Sequence, residues 1–314
     1  MGPIVDVVLP VFAIILVGYL AGRRGVLGEA SSEALNAFVY YVALPVLLFY
    51  SMARVNPETI FNLPFLAVYV GGGLIAFILA MVLSRWLFGQ RWGEASLFAM
   101  GSVFGNTGYM GIPLALTAFG EPGAVLAVVA TVFYGLIWMP IVLVLVESDQ
   151  SQGGQFLHQF KTISRSMMVN PLLLAPVAGI IWSLSGYDLP VPVDTFCSIL
   201  SAAAGPCALF ALGLFLVGKP VSEGIGEFST MVMLKLLIHP LIVGWLAFGV
   251  VDLAPLPAAL AVLMAALPTG ANCFVVAQKY GIFVQRSSSA ILFSTLLAGL
   301  TVSLLFATPY LNIQ

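Results

Sequence analysis

Two short clusters of asparagine, threonine, glycine and proline interrupt otherwise apolar stretches, and they are the residues best suited to bind a ligand. The first reads Gly105-Asn106-Thr107-Gly108-Tyr109-Met110-Gly111-Ile112-Pro113, the second Leu267-Pro268-Thr269-Gly270-Ala271-Asn272. Pro113 lacks a backbone donor and its ring clashes with the carbonyl of Tyr109, four residues earlier, while the glycines let the chain turn away. Each cluster therefore breaks a helix and frees backbone amides and carbonyls, which survive at membrane depth only where they are buried in protein or line a water-filled cavity. Half-helix N-termini attract anions, and freed carbonyls can coordinate a cation. Asn106, Thr107, Gly108, Pro113, Pro268, Thr269, Gly270 and Asn272 are accordingly the candidate substrate-binding residues. The competing explanation is that small residues merely let membrane helices pack closely. It accounts for Gly71-Gly72-Gly73, but not for two asparagine side chains that need partners in a dry setting.

A third feature is Lys235-Leu236-Leu237-Ile238-His239-Pro240 within an apolar run, which places two ionisable groups four residues apart on one helical face. Such groups inside a bilayer are functional candidates, and a cation there suits a carboxylate substrate or a proton relay. The alternative is that Lys235 snorkels to the interface, about 10 Å away, and His239 satisfies backbone near Pro240.

The elements that must position these residues follow from composition. Of 314 residues, 61% are hydrophobic and 8% charged, against about 25% charged in a soluble domain. A net charge of -2 supplies no basic field for nucleic acid. Cys197, Cys207 and Cys273 are scattered and read as packing residues rather than a disulfide or metal framework. A bilayer core needs roughly 20 apolar residues per helix. Ten such runs lie between polar breaks, at 4–22, 34–53, 63–84, 94–118, 122–146, 168–185, 195–217, 228–250, 256–278 and 288–309. The two broken clusters fall in the fourth and ninth runs, each roughly 18 Å from where its run begins and so near mid-membrane.

Basic residues orient the chain, because they accumulate in cytoplasmic loops. Breaks after odd-numbered runs hold Arg23, Arg24, Arg85, Arg91, Lys161, Arg165, Lys219, Lys279 and Arg286, while the other side has Arg54, which predicts that both termini lie outside. The most polar stretch falls midway along the chain. It predicts a first five-helix repeat over 1–147, a cytoplasmic linker over 148–167 carrying His158, and a second repeat over 168–314. Within the linker Phe156, Phe160 and Ile163 could lie as a short amphipathic helix. Five helices per half means that the halves enter the membrane with opposite orientation, the inverted-repeat plan of secondary transporters. Pro45 and Pro206, and Thr107-Gly108 and Thr269-Gly270, are echoes between the halves.

These residues resemble the auxin efflux carrier family, which includes bacterial proteins described as malonate transporters. The resemblance runs along the whole chain and rests on residues 105–114, on Leu9-Pro10-Val11-Phe12 with Gly18-Tyr19, and on Ala43-Leu44-Pro45. It implies ten helices with broken helices 4 and 9 crossing as in the bile acid sodium symporters, residence in the bacterial inner membrane, and a small organic anion as substrate. The family's crossover has a Pro-Asn pair in both broken helices. Here Asn106 follows Gly105, and Pro268 is separated from Asn272 by three residues, so the correspondence is regional.

The expected function is secondary transport of small organic anions by alternating access, without a cofactor and with a proton or sodium as a coupling ion where uptake demands one. The alternatives are a sodium-coupled symporter of the bile acid type and a membrane sensor on a transporter fold. An enzyme is not expected: the sequence has no Gly-x-Ser-x-Gly or His-Glu-x-x-His motif, and no P-loop. The expected partners are the anion and the lipid bilayer. The glycine triplet leaves open close packing within a protomer or in a homodimer.

Overall fold

The computed structural model describes residues 8–54, 62–150, 170–218 and 224–308. Its helices are α1 (Leu9–Arg23), α2 (Ala30–Ala53), α3 (Leu63–Phe88), α4 (Trp92–Val103), α5 (Ile112–Gln150), α6 (Pro171–Leu184), α7 (Val191–Phe215), α8 (Ile225–Val250), α9 (Pro255–Ala266), α10 (Asn272–Tyr280) and α11 (Val284–Phe306). Six stretches, namely α2, α3, Thr107–Gln150, α7, α8 and α11, are long and apolar enough to cross a membrane. Shorter apolar helices are α1, α9 and Leu174–Leu184 within α6. Asp6, Lys219, residues 55–61 and the linker segment 151–169 with His158, Lys161 and Arg165 lie outside the described residues.

Three of the π-helical turns obey one rule. They cover Val39–Ala43, Thr107–Gly111 and Leu234–Ile238, each ending two residues before a proline: Pro45, Pro113 and Pro240. A proline ring clashes with the carbonyl four residues back, and that carbonyl lies inside the widened turn each time. The helix absorbs the proline by taking in an extra residue rather than by ending.

Between the predicted runs 94–118 and 122–146 the chain turns at Gly120, whose φ of 68° takes it out of the helical region, and helix resumes to Gln150. Within the first run the helix is interrupted between α4 and the turn at Thr107. Asp149 and Gln150, expected in the linker, instead extend α5 together with Glu147. Asp149 pairs with Arg91 at 3.4 Å, Gln150 donates to the Tyr280 carbonyl at 3.1 Å, and Glu147 accepts from the Tyr280 hydroxyl. Burial, followed by the bond to Glu147, pushes the Tyr280 phenol above its ordinary range, so it remains a donor there.

The chain forms two compact units that each draw on both predicted halves: Met1–Asn62, Gly108–Val132 and Met168–Gly218 in one, Leu63–Thr107, Phe133–Met167 and Lys219–Gln314 in the other. In the first unit α1 packs on α7 and α2 on α6. The backbones nearly touch: a methyl group added at Gly18 would lie 2.2 Å from the Phe210 carbonyl oxygen, and one at Gly179 would lie 2.5 Å from that of Phe49. Val39, Ala43, Leu44, Ala204 and Ala208 form its buried core.

In the second unit α4 and α9 are buried nearly all round: Ala95 to Val103 and Ala258 to Ala266 are buried without exception. Helices apolar on every face belong at a centre. Around them, Tyr69 of α3 stacks on Tyr134 of α5 at 4.3 Å, and Phe77 stacks on Trp138 at 4.9 Å. At one end Arg286 reaches Glu94 at 3.5 Å and Glu227 at 3.3 Å, tying together the first turns of α11, α4 and α8.

Candidate functional site

The two broken clusters meet in the second unit. After Val103 the chain leaves the helix at Phe104, with ψ of 96°, and after Ala266 it does so at Leu267, with ψ of 152°. The extended segments run antiparallel, bridged at Gly105 and Thr269. The Asn106 amide donates to the Pro268 carbonyl and the Gly270 amide to the Phe104 carbonyl, both at 2.8 Å. Backbone groups that each break would leave unpaired are thus satisfied by the other break, which removes a penalty of several kcal/mol per group in an apolar medium. Glycine is required at Gly270, where an added methyl group would stand 2.9 Å from the Gly105 carbonyl oxygen.

Side chains complete the junction. Thr269 Oγ1 donates to the Gly101 carbonyl at 2.8 Å and so satisfies the C-terminal end of α4, while its amide donates to Ser294 Oγ at 3.0 Å. Thr107 is buried, and its amide donates to the Gly105 carbonyl at 2.8 Å. Asn106 is 6% exposed, and among the described residues its Nδ2 is a buried donor without an acceptor. Asn272 opens α10 and is half-buried, and no side chain caps that helix's N-terminus. Pro268 and Gly270 are buried within the junction.

Lys235 and His239 are both fully buried. The lysine reaches the junction rather than a helix end facing lipid: Nζ donates to the Ala265 carbonyl at 2.5 Å and lies 3.3 Å from His239 Nδ1. Ala265 sits in the last turn of α9, so the lysine amine serves the negative end of that helix. When Nζ is an ammonium it can only donate, which makes Nδ1 the acceptor and leaves the proton on Nε2 to bond Tyr134 Oη at 3.1 Å. An added methyl group at Gly105 would lie 3.4 Å from Nζ, which puts the lysine charge beside the crossing itself.

Gly108 and Pro113 belong to the other unit. There Pro113 packs on α7, its ring 3.1 Å from where a methyl group on Gly205 would stand, and Tyr109 donates to Asn36 Oδ1 at 3.5 Å. The sequence reading missed Tyr134, Ser294 and the carbonyls of Gly101 and Ala265. Tyr134 lies in an unbroken apolar run, where no local signal separates it from a packing aromatic.

A protein of Rhizobium meliloti named "Putative malonate transporter" is 33% identical to this chain, covering 96% of it and 95% of the relative. An uncharacterized transporter of Methanothermobacter thermautotrophicus is 30% identical, over 93% of this chain and 94% of its own. Auxin efflux carrier component 8 of Arabidopsis thaliana is 25% identical over 94% of both. These relatives are transporters and not enzymes, and the apolar helices match a multi-pass membrane protein. Residues 3–306 match the profile described as membrane transport protein, and the chain belongs to that family of membrane transporters, which is shared with auxin efflux carriers and malonate-transporter-like proteins.

Proposed function

We propose that this protein is a secondary carrier that moves small organic anions, dicarboxylates such as malonate foremost, across the bacterial inner membrane by alternating access. The observation that carries this reading is the crossing of two broken helices that satisfy each other's backbones, with the Asn106 side-chain amide buried and, among the described residues, without an acceptor, and with Lys235 Nζ standing beside Gly105. An unpaired buried donor and a lysine at the same crossing are suited to a carboxylate, which accepts up to four hydrogen bonds. The relative named for malonate supports the choice of dicarboxylate.

The membrane plan that goes with it is ten helices in two inverted five-helix repeats with both termini outside. The packing of α1 on α7 and of α2 on α6 supports it, because exchanging the halves converts the first pair into the second. A negative interior favours anion export by about 2.3 kcal/mol per charge per 100 mV, so efflux needs no coupled ion, whereas uptake does. The test is flux of radiolabelled malonate in proteoliposomes of the full chain, including counterflow against unlabelled malonate. Saturable counterflow that is lost in Asn106→Ala supports the reading; its absence in the unaltered protein refutes it.

A further inference from the structure

The junction holds a buried lysine amine without a carboxylate to match it. Among the described residues no Asp or Glu lies within ion-pairing distance of Lys235, and its other close polar neighbours are the Ala265 carbonyl and His239. Two basic nitrogens 3.3 Å apart in a buried site cannot both hold an added proton, so the pair carries one positive charge or none. Groups presented by the surrounding helices do not change this count. From α3 comes Tyr69 and from α5 Tyr134, both neutral phenols, and α9 has no titratable residue. In α4 and α11 the titratable residues are Glu94 and Arg286, paired with each other in their first turns, and Arg286 also pairs with Glu227 at the start of α8. In α10 Cys273 contacts Ser287 at 3.5 Å, and Lys279 and Tyr280 lie in its last turn.

Resting on the carrier reading above, we propose that Lys235 is the binding site for a coupled proton, and that one proton travels with each substrate anion. On the side where the anion enters, an O–H bond of hydronium breaks as the third N–H bond of the Lys235 ammonium forms and water is left behind; on the side where the anion leaves, that N–H bond breaks and the proton returns to water. Protonated, Nζ sets a positive charge beside Gly105 at the crossing and favours anion occupancy; deprotonated, it leaves the junction neutral and the anion is released. His239 is a positioning residue. Its Nε2 bond to Tyr134 fixes the ring so that Nδ1 accepts from Nζ, which keeps the ammonium accessible to proton exchange instead of being locked by a carboxylate.

The experiment uses the full chain in proteoliposomes with the membrane potential clamped at zero, radiolabelled malonate outside, a lumenal pH dye, and protein-free vesicles as the control. With one proton per anion, an inside-alkaline gradient of one pH unit drives about tenfold accumulation of malonate together with lumenal acidification. Lys235→Arg, which keeps the charge but cannot release the proton, is expected to lose the gradient-driven accumulation and the lumenal acidification together. His239→Gln is expected to shift the pH of half-maximal uptake while leaving counterflow at saturating malonate within about twofold. Should Lys235→Arg fail to fold, the same comparison is made with Lys235→Met, which is expected to accumulate nothing under the gradient and to bind malonate at least tenfold more weakly. Counterflow with no response to the pH gradient in the unaltered protein overturns the coupling and leaves the carrier reading standing. Absence of counterflow overturns the carrier reading, and the coupling with it.

Discussion

Gly71, Gly72 and Gly73 follow one another in α3 and are identical as residues, yet alanine should have three different effects on them. A methyl group at Gly73 would lie 2.1 Å from Tyr134 Oη, 3.0 Å from its Cζ and 3.1 Å from Trp138 Cζ2, all in a fully buried stack. The tyrosine must move, which costs about 1–3 kcal/mol for overpacking and about 1 kcal/mol more for the strained bond to His239. At Gly72 the methyl group would stand 2.6 Å from Val243 Cγ2 and 3.3 Å from Val243 Cα. A single valine methyl has to give, so about 1–2 kcal/mol is expected. At Gly71 there is open space, and alanine is favoured over glycine in a helix by up to about 1 kcal/mol, so the change is neutral or stabilising. Thermal unfolding in detergent should rank Gly71→Ala at or above the unaltered protein, then Gly72→Ala, then Gly73→Ala. Combining Gly73→Ala with Tyr134→Phe removes the atom at 2.1 Å. The pair should therefore cost less than the sum of the two single changes, by about 1 kcal/mol or more. Equal melting of the three single variants, or strict additivity in the double, would show that the stack around Gly73 is not packed as described.

Asn106→Ala and Asn272→Ala should each abolish malonate counterflow while melting within a few degrees of the unaltered protein; flux retained by both would sink the assignment of the crossing as the binding site. Thr269→Val keeps the shape but leaves the Gly101 carbonyl unpaired and should destabilise by about 1–3 kcal/mol. Thr269→Ser should restore most of that loss, and equal melting of the two variants would contradict the hydroxyl's role. Arg286→Gln leaves Glu94 and Glu227 facing each other without their cation. It should lower the melting point in a salt-dependent way, by about 1 kcal/mol or less because the group is partly exposed to solvent; a loss that does not diminish in high salt would contradict an electrostatic origin.

What the sequence determined by itself is everything governed by covalent constraint and solvent. Proline and glycine break a membrane helix wherever they cluster, so the interruptions at 105–113 and 267–272 were legible, as were the long apolar runs that a bilayer requires. The π-helical turns before Pro45, Pro113 and Pro240 belong to the same class, since the clash that causes them spans only four residues. Everything that depends on which group meets which came from the tertiary structure. The Asn106 amide finds the Pro268 carbonyl far away in the chain because a buried break in an apolar unit has no water to satisfy its freed backbone groups. The direction of Lys235 was equally undetermined, because a lysine at that depth reaches a lipid interface or a helix end with the same local pattern. Packing decided for the Ala265 carbonyl. The glycine triplet makes the same point at the scale of one residue: no local signal distinguishes Gly71 from Gly73, and the difference arises only when Tyr134, contributed by another helix, fills the space above one of them.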